Sequence, residues 1–218
     1  GAVAAVVEEE VESYSAPLVE VPSTRNALGI LSKKFYGSPD SLLKLVGITG
    51  TNGKTTTAYL IHALLTAAQL KPGLVGTVEY LIGNRRTPST NSTPEAHQLQ
   101  SMFREMVEAG CQSAVVETTS HGLALGRVAG MDFDVGVFTN LTRDHLDFHK
   151  TQEAYLASKA LLFDNFKPDA YAVVNVDDSA YSELLTRCRS KVMGYGYSES
   201  ADVRIMDGQT NWRGSKLS

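Results

Sequence analysis

The sequence predicts an α/β fold: a mostly parallel sheet with helices on both faces, preceded by a smaller first unit with a strand and a helix. Short, nearly continuous apolar runs of strand length recur along the chain, as for strands buried on both faces. Segments with apolar residues at helical spacing lie between them, and strands alternating with helices imply a parallel sheet. Hydrophobic residues make up 43% of the 218 positions, enough to fill a core between such layers.

The elements follow in order. Residues 1–40 form a first unit, with Ala2 to Val7 as a buried strand. Ser23 or Thr24 caps a helix carrying Ala27, Leu28, Ile30, Leu31 and Phe35, which stops at Gly37. Ser38-Pro39-Asp40 is turn chemistry and marks a boundary. Residues 41–218 form the larger unit. Leu42 to Thr49 is a strand, followed by a glycine-rich turn and a helix from Lys54 to Leu70 that ends before Pro72-Gly73. Leu74 to Tyr80 reads as one strand and Gly83-Asn84 as a turn. Thr93-Pro94-Glu95 opens a helix, with Thr as the cap and Pro at the first helical position. That helix carries Ala96, Leu99, Phe103, Met106 and Val107 on one side and ends at Gly110. Strands are expected over Ser113–Val116, Phe133–Phe138, Tyr171–Val176 and Lys191–Tyr195, and helices over Ala154–Phe163 and Ser179–Arg187.

The formal net charge of −4 argues against a nucleic acid polymer as partner, because phosphate-backbone binders carry a basic face. Cys111 and Cys188 are too few for a disulfide framework and suit a reducing compartment, so a cytoplasmic setting is expected. No apolar run approaches the roughly 20 residues that span a bilayer, so no membrane partner is expected. The apolar start lacks a basic flank and runs into Glu8, Glu9 and Glu10, unlike a signal peptide. The chain opens without Met and closes on polar residues with no packed element in view. Both ends read as cut, so a piece of a longer protein is expected.

Gly47-Ile48-Thr49-Gly50-Thr51-Asn52-Gly53-Lys54-Thr55-Thr56 lies between a strand and a helix, the context of a phosphate-binding loop (P-loop). Glycines let backbone N–H groups turn toward a phosphate, and the helix N-terminus adds partial positive charge. Lys54 can reach terminal phosphates and the Thr55 hydroxyl can hold Mg²⁺. The common spacing places a Gly six residues before the Lys, whereas this chain has Ile48 there. A purine nucleoside triphosphate is the expected ligand.

Glu117 ends the run Ala114-Val115-Val116, at the carboxyl edge where open sheets place ligand groups. It would complete a Mg²⁺ shell begun by Thr55; the bland alternative is a solvated strand-end carboxylate or a helix cap. His145 stands with Arg143, Asp144 and Asp147 just past the strand ending at Phe138, and as neutral imidazole it would ligate a second cation. Asp144 and Asp147 would orient it or cap the next turn. Lys159 sits in the apolar helix segment Ala157–Phe163, where residue type alone favours a snorkelling lysine.

Together these segments resemble the Mur ligases. Gly50 to Thr56 is similar to that family's ATP loop. Asn91-Ser92-Thr93-Pro94, Glu117 to Leu123 with Arg127, and Phe138 to His149 resemble the MurE branch, which adds the third residue to UDP-MurNAc-L-Ala-D-Glu in peptidoglycan precursor synthesis. The similarity covers about residues 15–180. It implies three domains, for the uridine nucleotide, ATP and the incoming amino acid. Residues 1–40 would be the end of the first and 41–218 an incomplete central ATPase domain, with the third absent. The resemblance implies ATP on Gly50, Thr51, Asn52, Gly53, Lys54, Thr55 and Thr56. It implies one Mg²⁺ on Thr55 and Glu117, and a second on His145 and a carbamylated Lys159. Lys54, Glu117, His145 and Lys159 would be the catalytic set. The muramoyl-dipeptide would lie on Asn91, Ser92, Thr93, Thr119 and Arg127, with an amino acid as the second partner. A monomer is expected. Thr119 stands where the branch commonly has Ser, Leu125 where it often has Gln, and Ser92 where it usually has Thr. Another ligase of the family, a folylpolyglutamate synthetase, a non-catalytic protein keeping the fold, and a P-loop kinase or ATPase are the competing expectations. Little ligase turnover is expected of these residues alone.

Overall fold

A computed structural model describes residues 2–9, 16–164, 166, 169–212 and 214–217. The chain starts with two short parallel strands, β1 (Ala5–Val7) and β2 (Leu18–Glu20), that form a sheet of their own. Glu10, the last residue of the acidic run, lies outside the described residues. Helix α1 (Thr24–Phe35) starts where expected: the Ser23 hydroxyl accepts from Asn26 N–H, the usual first-turn cap. A 3₁₀ turn over Pro39–Leu42 then leads into the main sheet and removes Leu42 and Leu43 from the expected strand.

The main sheet is built from β3 (Lys44–Thr49), then across α2 (Lys54–Ala67) to β4 (Pro72–Val75), β5 (Glu79–Ile82) and β6 (Arg85–Pro88). Helix α3 (Ala96–Glu108), β7 (Ser113–Glu117), the short α4 (Ser120–Ala124), β8 (Val135–Phe138), α5 (Leu146–His149) and α6 (Gln152–Asp164) follow. The chain continues through β9 (Tyr171–Asn175), α7 (Tyr181–Arg187), β10 (Lys191–Gly196) and β11 (Val203–Arg204). A separate antiparallel hairpin, β12 (Gly208–Asn211) and β13 (Gly214–Leu217), comes last among the described residues. The strand order is β11-β10-β9-β8-β3-β7-β4-β5-β6, parallel throughout except for the two hairpin-linked edge strands β5 and β6.

Two expectations need correction. The single strand over Leu74 to Tyr80 is two antiparallel strands, because the chain reverses through Gly76-Thr77-Val78. The α3 helix begins at Ala96, not at Pro94. Glu95 is its cap, in a capping box with Gln98, and the Thr93 hydroxyl is engaged elsewhere.

The core explains the continuous apolar runs. Leu45 packs into a cluster with Phe103, Met106, Phe138 and Phe163, whereas its neighbours Val46 and Ile48 pack with Ala58 of α2. On β7, Ala114 and Val116 join the first cluster and Val115 the second. Successive side chains point to opposite faces, so both faces bury apolar surface and no polar alternation survives. Asp40, fully buried, pairs with Lys33 at 2.8 Å, and Lys33 also pairs with Asp132 at 2.8 Å. This ion triad fixes the first helix to the segment entering β8.

Candidate functional site

The site grows from the carboxyl ends of three adjacent strands. Parallel pairing of β3 with β7 and β8 sets Ile48 beside Glu117 and Thr49 beside Phe138. The chain leaves all three strands at one edge, where parallel sheets offer ligand-binding crevices.

Gly50 opens the loop with φ of +142°, a region that L side chains rarely adopt, and a Cβ there would collide with the Thr139 hydroxyl. The exit from β8 holds the loop in shape. Thr51 N–H donates to the Asn140 carbonyl at 2.8 Å, Asn52 N–H to Asn140 Oδ1 at 2.9 Å, and Thr139 Oγ1 to the Asn52 carbonyl at 2.6 Å. Gly53 is the α2 cap and has no side chain to offer, so the first-turn N–H groups and the positive helix end are left for an anion. Lys54 folds back over the loop, its Nζ donating to the carbonyls of Gly50 at 2.9 Å and Thr51 at 2.8 Å. Burial pushes the Lys54 pKa down, against the opposing pull of Glu117 and Asp144.

Glu117 is 1% exposed, which removes the reading of a solvated strand-end carboxylate. The Thr55 hydroxyl donates to its Oε2 at 2.9 Å; Thr77 donates from N–H to Oε1 at 2.9 Å and from Oγ1 to Oε2 at 3.0 Å. Gly76 makes room for this: a Cβ there would run into Glu117 Oε1. Thr77 belongs to the site and was missed by sequence reasoning, because Leu74 to Tyr80 read as an unbroken strand; the Gly-Thr pair inside it was the available signal.

Lys159 does not snorkel. It is 1% exposed, its Nζ donates to the Gly50 carbonyl at 2.7 Å, and it lies 4.2 Å from the centre of the Tyr155 ring. Burial first and the nearby Lys54 charge second push its pKa down to about 7, with Asp144 opposing. A sizeable share of neutral amine, the nucleophilic form, therefore exists near neutral pH. Tyr155 supports this arrangement and has no sequence signal of its own; its hydroxyl lies 3.2 Å from Thr51 Oγ1.

His145 adopts a left-handed backbone conformation, φ 51°, at the start of α5. Its ring meets His121 edge-on at 4.8 Å and Tyr155 at 6.1 Å. Asp144 orients it, accepting from His145 N–H at 2.9 Å and standing 3.5 Å from Nε2. Behind it, buried His149 bridges Ser120 at 3.0 Å and Ser158 at 3.2 Å, tying α4 to α6. Burial pushes the pKa values of His121 and His149 down.

Lys54, Thr77, Asn91, Ser92, Thr93, Thr119, His121, Leu125, Arg127 and His145 line one cleft of about 470 Å³. All five residues assigned to the acceptor from sequence thus share a cleft with the loop lysine and His145. Thr93 organises the wall: its hydroxyl donates to the Glu117 carbonyl at 2.8 Å and lies 3.0 Å from Thr119 Oγ1. Arg127 Nη1 donates to the Thr93 carbonyl at 2.9 Å, and its Nε pairs with Glu95 at 2.9 Å. Leu125 adds an apolar patch. His121 is a further cleft residue, inside a motif that the sequence displayed without a role for it.

Among the described residues no group of three or more His, Cys, Asp and Glu side chains is arranged to hold a metal. The residues present do fit a hard divalent cation that brings its own phosphate and water ligands. Thr55 Oγ1 and Glu117 Oε2 are oxygen donors 2.9 Å apart at the foot of the phosphate loop. No helix among the described residues is long and apolar enough to cross a membrane.

Residues 48–218 match the Mur ligase middle domain family. The chain is 44% identical over 206 residues to the UDP-N-acetylmuramoyl-L-alanyl-D-glutamate–2,6-diaminopimelate ligase of Bacillus cereus, covering 92% of this chain and 42% of that protein. It is 49% identical over 180 residues to the ligase of the same name from Chlorobaculum tepidum, covering 82% of this chain and 35% of that one. The chain therefore spans less than half the length of these relatives. A solved structure of a ligase of that name superposes with a TM-score of 0.87 at 32% identity, covering all of this chain and 45% of its own. A Mycobacterium tuberculosis folylpolyglutamate synthase bound to ADP and AMPPCP shares the fold at 20% identity and a TM-score of 0.68, over 89% of this chain and 50% of that one. On the match over residues 48–218, the chain belongs to the Mur ligase middle domain family.

Proposed function

We propose that this chain is the ATP-binding core of a MurE-type ligase, which joins an amino acid to UDP-MurNAc-L-Ala-D-Glu. One observation carries the reading. The phosphate-loop lysine, His145 and the polar wall of Asn91, Ser92, Thr93, Thr119 and Arg127 line a single cleft, so a phosphate donor and a carboxylate acceptor would meet there. The names of the similar proteins support the same acceptor. In this reading residues 1–40 end a domain for the uridine nucleotide and 41–218 belong to the ATPase domain.

The acceptor's terminal carboxylate attacks the γ-phosphorus of ATP, giving an acyl phosphate and ADP. The amine of the incoming amino acid then displaces phosphate and leaves the amide. The loop amides and the α2 N-terminus hold the phosphates, and Lys54 leaves its resting carbonyls to meet the transferring group. Thr55 and Glu117 would hold Mg²⁺, with Thr77 fixing the carboxylate. His145 and Lys159 flank Tyr155. An ammonium there would repel a second cation, whereas a carbamate formed on the neutral Lys159 amine would give it oxygen ligands. Bound Mg²⁺ supplies charge neutralisation for phosphoryl transfer. Arg127 pairs with an acceptor carboxylate.

The test is calorimetric titration of the chain with Mg²⁺-ATP, followed by phosphate release from the full-length protein with each acceptor. Expected are binding that Lys54→Ala abolishes, and release that needs both the muramoyl-dipeptide and an amino acid. Release driven by water alone, or by a folate acceptor, would overturn the reading. A ¹³CO₂-dependent carbamate resonance lost in Lys159→Ala is the matching test for the lysine.

A further inference from the structure

Glu95 lies just outside the cleft and is not among the acceptor-binding residues assigned above. It caps α3 and also meets two arginines from distant segments. Its Oε1 pairs with Arg127 Nε at 2.9 Å, and its Oε2 pairs with Arg25 Nη1, on α1, at 3.0 Å. Arg127 also spends Nη1 on the Thr93 carbonyl at 2.9 Å. Nε is buried without a hydrogen-bond partner, so its contact with Glu95 is an ion pair; among the described residues Nη2 makes neither a hydrogen bond nor an ion pair and is left for a ligand oxygen. A guanidinium held by one ion pair and one hydrogen bond keeps a fixed orientation, which lowers the ordering cost when a carboxylate binds. Arg127 has a side-chain exposure of 20% and Glu95 of 30%, so the pair is partly shielded from water.

From this geometry we propose that Glu95 is a positioning residue for acceptor recognition, holding Arg127 for a ligand carboxylate while Arg25 makes α1 part of the same clamp. The proposal deepens the ligase reading and rests on it for the identity of the ligand. Among the described residues no hydrogen bond or ion pair joins Glu95 to the phosphate loop, so its influence is expected on the acceptor and not on ATP. The two arginines on one carboxylate also leave a net positive charge beside the cleft, which suits an anionic acceptor.

The test uses Glu95→Gln, which keeps an oxygen for the helix cap, in the full-length protein. The KM for the muramoyl-dipeptide is expected to rise roughly tenfold, the scale of one charge-assisted hydrogen bond, with kcat and the KM for ATP nearly unchanged. Arg25→Ala should give a smaller rise of the same kind. Glu95→Gln combined with Arg127→Ala should be no worse than Arg127→Ala alone. Equal effects on ATP and acceptor, or additive losses in the double variant, would overturn the proposal. NMR of the ligand-free chain is the readout independent of turnover. The Arg127 Nε resonance, assigned by its loss in Arg127→Lys, should shift in Glu95→Gln, because the carboxylate charge 2.9 Å from Nε is lost. An unchanged resonance would reject the clamp whatever the ligase assay shows, whereas failure of wild-type turnover with the shift present would reject only the ligase reading.

Discussion

Lys54 of the glycine-rich loop and the proposed acceptor wall line one cleft, but loop and wall are built in opposite ways. The loop is contiguous. Gly50 to Thr56 follow one another, and two backbone carbonyls, of Gly50 and Thr51, already satisfy Lys54 before any ligand arrives. The wall is assembled from the segment before α3, from the cap of α4 and from the residues after that helix. Its members touch across 26 positions between Thr93 and Thr119 and 34 between Thr93 and Arg127. A local device survives as long as its strand and helix form. A composite one depends on every segment keeping its register, so small changes far away can loosen it.

The largest effect should come from breaking the loop. Lys54→Ala is expected to lower turnover by about 10²–10³-fold, as for loss of one group that stabilises transferring charge, with unfolding temperature little changed. A loss confined to acceptor KM would mean that the lysine serves the wall instead. Gly50→Ala attacks the same loop through its backbone and should cost on the order of 1–3 kcal/mol from strain at φ +142° and the Thr139 contact, read by thermal denaturation.

Lys159 links the loop to the helix beneath it and gives a pH signature. Its folded pKa, about 7, lies below its unfolded value near 10.5, so the unfolded chain binds more protons between those limits. Stability in CO₂-free buffer should therefore rise as pH climbs from about 7 to about 10.5, and the penalty for charging the buried amine should be complete below pH 7. Lys159→Met should flatten that rise; an unchanged slope would show that other groups set it.

The wall should respond more gently. Thr93→Val removes a hydroxyl that meets both Glu117 and Thr119 and should cost roughly tenfold in acceptor affinity while sparing ATP. Leu125→Gln restores a polar group to the cleft rim and should improve acceptor affinity by a few-fold at most. A loss would show that the apolar patch is itself used.

Most of the central fold was legible because doubly buried strands and amphipathic helices leave different apolar patterns. The reversal at Gly76-Thr77 was not, since apolar residues on both sides of it masked the turn. The Glu95 cap was mistaken for Thr93 because both residue types suit a helix start, and only the partner of each side chain separates them. Lys159 showed the same limit: in one dimension a lysine among leucines and alanines reads as a surface residue reaching water, and only packing on Tyr155 and the Gly50 carbonyl shows that it cannot.

The sequence by itself determined the alternation of strands and helices, the phosphate loop and the identity of the polar residues beyond each strand. These depend on neighbours in the chain, on local periodicity and on the freedom of glycine. Only the tertiary structure decided which of those residues meet. The β7-β3-β8 order brings Glu117, Thr55 and Thr139 to one edge, the turn at Gly76 brings Thr77 onto Glu117, and two arginines from separate helices and loops converge on Glu95. Such contacts are set by strand order and long-range packing, which leave no periodic trace in the sequence.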